Sequence, residues 1–310
     1  MKETDKTLTT LSDNKPTVIK AKVLGYCMGV RRAVDMANRA LSEYPNRRVW
    51  TLGPLIHNAR ALESLSSKGV KILETCQIDK LNENDVVIIR AHGVPPEIFS
   101  KLKATGCTLI DATCPRVMLS QRRAADFAAK GFTVIIAGDK NHGEVAGIAG
   151  CAVDVATGEK RYLLIENTSD AESLVMSAKT NTEHSLPQDA VLLCQTTISR
   201  CEYDSIGEFL KQEIKNLQIL DTICPATMER QEALAQLQGQ VEGVLIVGGK
   251  NSANTQRLLM TARQLFNQAA LIESATEIPQ NFLKLRRVGI AAGASTPDEV
   301  ILEVEAALRS

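Results

Sequence analysis

The sequence predicts an α/β protein arranged as a trefoil: three small pseudo-symmetric domains with mainly parallel sheets around a central site. Three observations carry this expectation. Apolar, β-branched runs alternate with helical apolar spacings along the chain, the pattern of parallel sheets crossed by helices. A passage of strand, cysteine and helix occurs three times, around Cys27, Cys114 and Cys224. Two of these passages, DATCP at 111–115 and DTICP at 221–225, lie 110 residues apart, as do the loops opening at Gly138 and Gly248, so two of the units stand in register.

Taken in order, residues 1–17 are polar and mixed in charge and read as a solvated tail. A first domain is expected over 18–108. It opens on TVIKAKVLGYC, enters a helix with Val30, Ala33, Val34 and Ala37 on one face, and continues through VWTLGPLIHN and DVVIIRAHGVPP. A second, over 109–219, passes from CTLIDATCP into a helix, then through FTVIIAGDKNHGEV and AVLLCQTTIS. A third, over 220–310, passes from DTICP into a helix, then through GVLIVGGKNSANT and RVGIAAGASTP. Pro115 and Pro225 suit a first helical turn, where a missing N–H is no loss, so each cysteine is expected near a helix N-cap. In parallel α/β sheets, ligands bind beyond the carboxyl ends of the strands, and all nine of these loops fall there. Three such domains about an axis bring the three cysteines to one point.

Composition narrows the class. With 310 residues and 44% hydrophobic content the chain can bury a large core. Lys plus Arg equals Asp plus Glu at 36 each, so no overall basic field recruits nucleic acid or an anionic membrane. No apolar run is long enough for a bilayer, and the start lacks the apolar core of a signal peptide, so a cytoplasmic protein is expected. In that reducing compartment the eight cysteines are poor disulfide formers.

Three thiolates at helix N-termini are expected to have lowered pKa values and to bind zinc or an iron-sulfur cluster. Buried structural thiols are the ordinary explanation for any one of them; the repeated setting argues for a site. The surrounding loops offer uncharged donors in place of Lys and Arg: His57, His92, His142, Thr196, Thr197, Ser252, Asn254 and Ser295. Such groups with Gly-rich backbone cradle a phosphate or diphosphate without a basic patch. Glu144, two residues after His142, is suited to delivering a proton. GGKNSANT lacks the spacing of a P-loop, and no G-x-G-x-x-G fingerprint lies in a strand-turn-helix setting. Cys76, Cys107, Cys151, Cys194 and Cys201 are assigned to packing, and His184 to a solvated loop. A non-catalytic zinc or phosphate-binding module and a thiol redox sensor remain open on the residues alone.

In order, GYCMGVRRAV, GPLIHN, RAHGVPP, DATCPRV, NHGEV, CQTTIS, DTICPATMERQ, GGKNSANTQRL and GASTP resemble the motifs of the 4-hydroxy-3-methylbut-2-enyl diphosphate reductase family. The resemblance runs from about residue 20 to residue 300. It implies a 4Fe-4S cluster held by Cys27, Cys114 and Cys224, with one iron left for substrate. It implies substrate contacts at His57, His92, His142, Thr196, Ser252, Asn254 and Ser295, mostly around the diphosphate, and a proton donor at Glu144. The implied reaction is reductive dehydroxylation of hydroxymethylbutenyl diphosphate to isopentenyl and dimethylallyl diphosphates, the last step of the methylerythritol phosphate route. Electrons are implied to come from a ferredoxin or flavodoxin, since flavin and nicotinamide signatures are lacking. Three positions depart from the family pattern: Ala253 for a serine, Gly143 for a frequent proline and Cys194 for a frequent threonine. The rival within enzymes is a three-cysteine cluster protein of the quinolinate synthase type.

Overall fold

The computed structural model describes residues 15–180 and 185–310. The chain starts with β1 (Thr17–Lys20), α1 (Met28–Glu43), β2 (Arg48–Leu52), α2 (Ala59–Ser67), β3 (Lys71–Leu73), β4 (Asp85–Ile89), α3 (Pro96–Ala104) and β5 (Thr108–Asp111). It continues through α4 (Pro115–Ala129), β6 (Thr133–Ala137), α5 (Gly143–Cys151), β7 (Tyr162–Ile165), α6 (Thr168–Thr180), β8 (Asp189–Cys194), α7 (Arg200–Glu213) and β9 (Asn216–Ile219). The last elements are α8 (Pro225–Ala235), β10 (Gly243–Val247), α9 (Ala253–Leu265), β11 (Ala269–Ile272), β12 (Arg287–Ala292) and α10 (Asp298–Arg309).

Three four-stranded sheets result, ordered β5-β4-β2-β3, β9-β8-β6-β7 and β1-β12-β10-β11, and every strand pair in them is parallel. The three orders match position for position, as the trefoil expectation requires. The linear division at 18–108, 109–219 and 220–310, however, does not follow the sheets. β1, expected to open the first domain, pairs with β12, Thr17 opposite Arg287. β5 crosses the expected 108/109 boundary and closes the first sheet beside β4. The physical reason is that a four-residue strand such as TVIK carries no mark of its partner; the vacant edge beside β12 selects it. Of the expected tail, residues 1–14 lie outside the described residues and Thr17 is already strand.

The central strands are apolar on both faces because helices cover both faces. In β4, Val86 and Ile88 enter one core while Val87 and Ile89 enter the other, and all four are fully buried. The same split divides Ile135 from Val134 and Ile136 in β6, and Val244 and Ile246 from Leu245 and Val247 in β10. Each such side chain contributes about 1.5–3 kcal/mol of burial. That rigid interior holds the loops at the strand ends in fixed relation. Among the described residues, no helix is long and apolar enough to cross a membrane.

Candidate active site

One edge strand of each sheet, β1, β5 and β9, runs into a short loop and then into the helix of the next domain. The residue at each crossing is a cysteine, and it is the N-cap: Cys27 of α1, Cys114 of α4 and Cys224 of α8. Pro115 and Pro225 occupy the first turn, as their fixed φ favours. Each cysteine N–H is tied to the loop leaving the adjacent strand: Cys27 donates to the Ala294 carbonyl at 3.0 Å, Cys114 to Ala91 at 2.9 Å and Cys224 to Thr196 at 2.9 Å. All three sulfurs therefore reach one cavity of about 110 Å³. The approach is close enough to require Gly29, since a Cβ there would stand 2.6 Å from Cys114 Sγ.

The thiols depart from one expectation. Burial pushes the Cys114 and Cys224 thiols up, and the neighbouring cysteines push them further, against helix N–H groups that pull down. In the metal-free chain desolvation outweighs the helix termini, so a bound cation has protons to displace. A counter-charge is already in place. Arg230 is 4% exposed, donates to the Gly25 carbonyl at 2.6 Å and the Ala226 carbonyl at 2.8 Å, and leaves Nε without a partner. Its charge faces Cys27 and Cys224. Such a buried guanidinium suits an anionic thiolate centre, and the three-sulfur donor set fits a metal or an iron-sulfur cluster.

On another wall of the cavity, His57, His92 and His142 leave the ends of β2, β4 and β6. Their ring centroids are 4.6 Å (57 to 92), 5.1 Å (92 to 142) and 5.8 Å (57 to 142) apart. One nitrogen from each lies within 4.8 Å of the others, a spacing able to grip a shared ion. Burial lowers all three basicities and the Arg90 guanidinium adds to the effect; His142 falls to about 4, so the rings are neutral near pH 7. His142 is also the N-cap of α5, its Nδ1 accepting the Glu144 N–H at 3.2 Å.

Glu144 is 2% exposed. Thr196 donates its N–H to Oε1 at 2.6 Å and its hydroxyl to Oε2 at 2.9 Å. Burial prevails over these bonds and raises the carboxyl to about 7. The arrangement thus offers a carboxylic acid that holds its proton near neutrality. Nearby, Ser295 donates to the His57 carbonyl at 3.1 Å and to Ser252 Oγ at 3.4 Å, while Ser252 caps α9. Asn254 is buried with both side-chain amide atoms lacking a protein partner. A buried amide without partners calls for a polar ligand.

The structure brings all eleven residues singled out above, together with Thr197, to the lining of this one cavity. Ala253 lines it as well. Cys194 is buried and bonded to Thr222, away from the lining. The packing assignment fails for Cys76 and Cys201, which are exposed, since their elements turn only one face inward. His184 lies outside the described residues. Sequence reasoning missed Arg116 in the lining, Arg230 behind the sulfurs, and Gln195, whose amide accepts the Asp139 N–H at 2.9 Å and donates to Thr197 at 3.0 Å. The available signal was Arg230 inside DTICPATMERQ, a basic residue on the inward face of a helix.

A sequence model described as LytB protein matches residues 18–309. A 4-hydroxy-3-methylbut-2-enyl diphosphate reductase of Treponema denticola is 44% identical over 292 residues, spanning 93% of this chain and 97% of that protein. The enzyme of the same name from Caldanaerobacter subterraneus is 36% identical over 294 residues, spanning 94% and 96%. A solved structure of (E)-4-hydroxy-3-methyl-but-2-enyl diphosphate reductase, described as the terminal enzyme of the non-mevalonate pathway, aligns with a TM-score of 0.69 at 35% identity, over 94% of this chain and 98% of the other. A reductase structure from Plasmodium falciparum aligns with a TM-score of 0.83 at 23% identity, over 94% and 87%, and speaks to the fold alone.

Proposed function

The chain belongs to the LytB protein family, and on that premise we propose that it is a 4-hydroxy-3-methylbut-2-enyl diphosphate reductase whose Cys27, Cys114 and Cys224 hold a 4Fe-4S cluster. The observation that carries this reading is the meeting of three helix-capping cysteines with a neutral three-histidine ring and a buried carboxylic acid in one cavity. When bound, the cluster supplies electrons and a Lewis-acidic iron for removal of the allylic hydroxyl.

The remaining work falls to side chains. His57, His92 and His142 with Ser252, Asn254 and Ser295 bind and orient the diphosphate, offering N–H and O–H donors. Glu144 holds a proton on a carboxyl oxygen positioned by Thr196, and releases it as the C–O bond breaks. Overall, two electrons and two protons enter, one C–H bond replaces the C–OH bond, and water leaves. Apolar walls from Val30, Ile56 and Val117 keep bulk water from the reacting carbon. A ferredoxin or flavodoxin is the electron donor in this reading, and the cytoplasm its setting.

The test is oxidation of reduced methyl viologen by the anaerobically purified, iron-loaded protein on addition of hydroxymethylbutenyl diphosphate, with Cys114→Ser as the comparison. Substrate-dependent oxidation that disappears in the variant together with bound iron supports the reading. An iron-loaded wild type that leaves the dye reduced overturns it.

A further inference from the structure

The strand β4 ends at Ile89, and the next side chain, Arg90, lies in a slot between two domains. One wall of the slot is Gly53, where an added Cβ would meet Arg90 Nη1 at 3.1 Å. The opposite wall is Gly143, the first residue of α5, where an added Cβ would meet Arg90 Cζ at 2.8 Å and Nη2 closer still. Gly53 has a φ of +67°, a backbone reason to be glycine. Gly143 has none, being ordinary helix; the atoms nearest to a side chain added there are those of the guanidinium.

That guanidinium makes no hydrogen bond or ion pair among the described residues and its Nε is buried; the carboxylate that bears on it, Glu74, stands beyond ion-pair distance. Its charge bears on His57, His92 and His142. The other cation near this ring, Arg257, faces Asp139 at 3.8 Å. Neutral rings provide donors and no charge, so a diphosphate bound against them gains compensating charge from Arg90 behind the ring, while Arg116 lines the cavity itself.

We propose that Arg90, seated against Gly143 behind the three-histidine ring, is a positioning residue for the anionic end of the substrate, supplying the fixed positive charge that selects a diphosphate. This rests on the diphosphate reading given above. The step is one of binding only; no bond is made or broken by Arg90.

The test compares Arg90→Ala, Arg90→Lys, Gly143→Ala and the Arg90→Ala/Gly143→Ala double variant of the iron-loaded enzyme. Two quantities are read: KM for the substrate and the dissociation constant of inorganic diphosphate by calorimetry. Loss of this nearby buried positive charge predicts about a 10- to 100-fold rise in both for Arg90→Ala, with kcat within a few fold of wild type. Arg90→Lys keeps the charge without the fork and falls between. Gly143→Ala weakens both by evicting the guanidinium, and the double variant is no weaker than Arg90→Ala, because the group nearest to the added methyl is then gone. Unchanged constants in Arg90→Ala overturn the proposal, as does a fall in kcat alone or full additivity in the double variant. If Arg90→Ala does not fold, Arg90→Lys and Gly143→Ala decide the matter by the same criteria. A wild type that binds inorganic diphosphate but never oxidises the dye sinks the reductase reading and leaves this inference intact.

Discussion

Replacing Glu144 with glutamine removes a proton whose energetics can be worked out from the fold. Burial raises the carboxyl from 4.5 to about 7 against two hydrogen bonds from Thr196. At about 1.4 kcal/mol for each tenfold change in acidity, the ionised form is about 3 kcal/mol less favourable inside the fold than in the unfolded chain. Stability from this group is complete below about pH 4.5, where both states carry the proton. It declines as the pH rises and reaches its lower level above about pH 7, where folding must hold the charge. His57, His92 and His142 act in the opposite sense at the acid end, since their lowered basicities penalise folding once the unfolded rings protonate. The informative quantity is therefore the difference between wild type and Glu144→Gln in urea unfolding at pH 5, 6, 7 and 8. That difference changes by about 2–3 kcal/mol across the range, with the variant gaining on the wild type as the pH rises. In turnover, the wild-type rate falls as pH rises through about 7, because the acid form donates; the variant is slower by roughly 10²-fold or more with its cluster absorption unchanged. Parallel stability curves for the two proteins would refute the protonated carboxyl, and near-normal turnover would remove Glu144 from the chemistry.

Two further substitutions probe the two ends of the cavity. Gly29→Ala places a methyl group against Cys114 Sγ, so iron content after anaerobic reconstitution should fall well below wild type while far-ultraviolet circular dichroism is retained; a full complement of iron would contradict the close approach. Asn254→Leu removes two buried amide atoms without partners, so the metal-free chain should gain about 1–3 kcal/mol in urea unfolding while inorganic diphosphate binds about tenfold more weakly. Loss of stability with unchanged binding would show the amide to be structural.

The three strand-cysteine-helix passages were legible because each is local: a β-branched run, a thiol and a proline within a few residues report a strand end and a helix start wherever they occur. The nine loops were legible for the same reason, and with them the cavity lining. What was not legible depends on partners distant in the chain. TVIK gives no hint that it pairs with a strand some 270 residues later, and so the domain limits were drawn in the wrong places. The thiol acidities were misjudged because a helix terminus is visible in sequence and burial is not. Arg90 and Arg230 escaped notice because a charge on a short stretch looks solvated until its surroundings are known; only the fold shows one in a glycine slot and the other behind the sulfurs. Of the departures from the family pattern, Gly143 stands against Arg90 and Cys194 is hydrogen-bonded to Thr222.

Because β1 completes the sheet that β10, β11 and β12 begin, a strand made early must wait for one made some 270 residues later. Until β12 exists, Cys27 lacks the Ala294 carbonyl that fixes its backbone, and the ring of domains is an open arc. The place where the three cysteines meet is thereby completed only after β12 has been made, however early Cys27 and Cys114 are available.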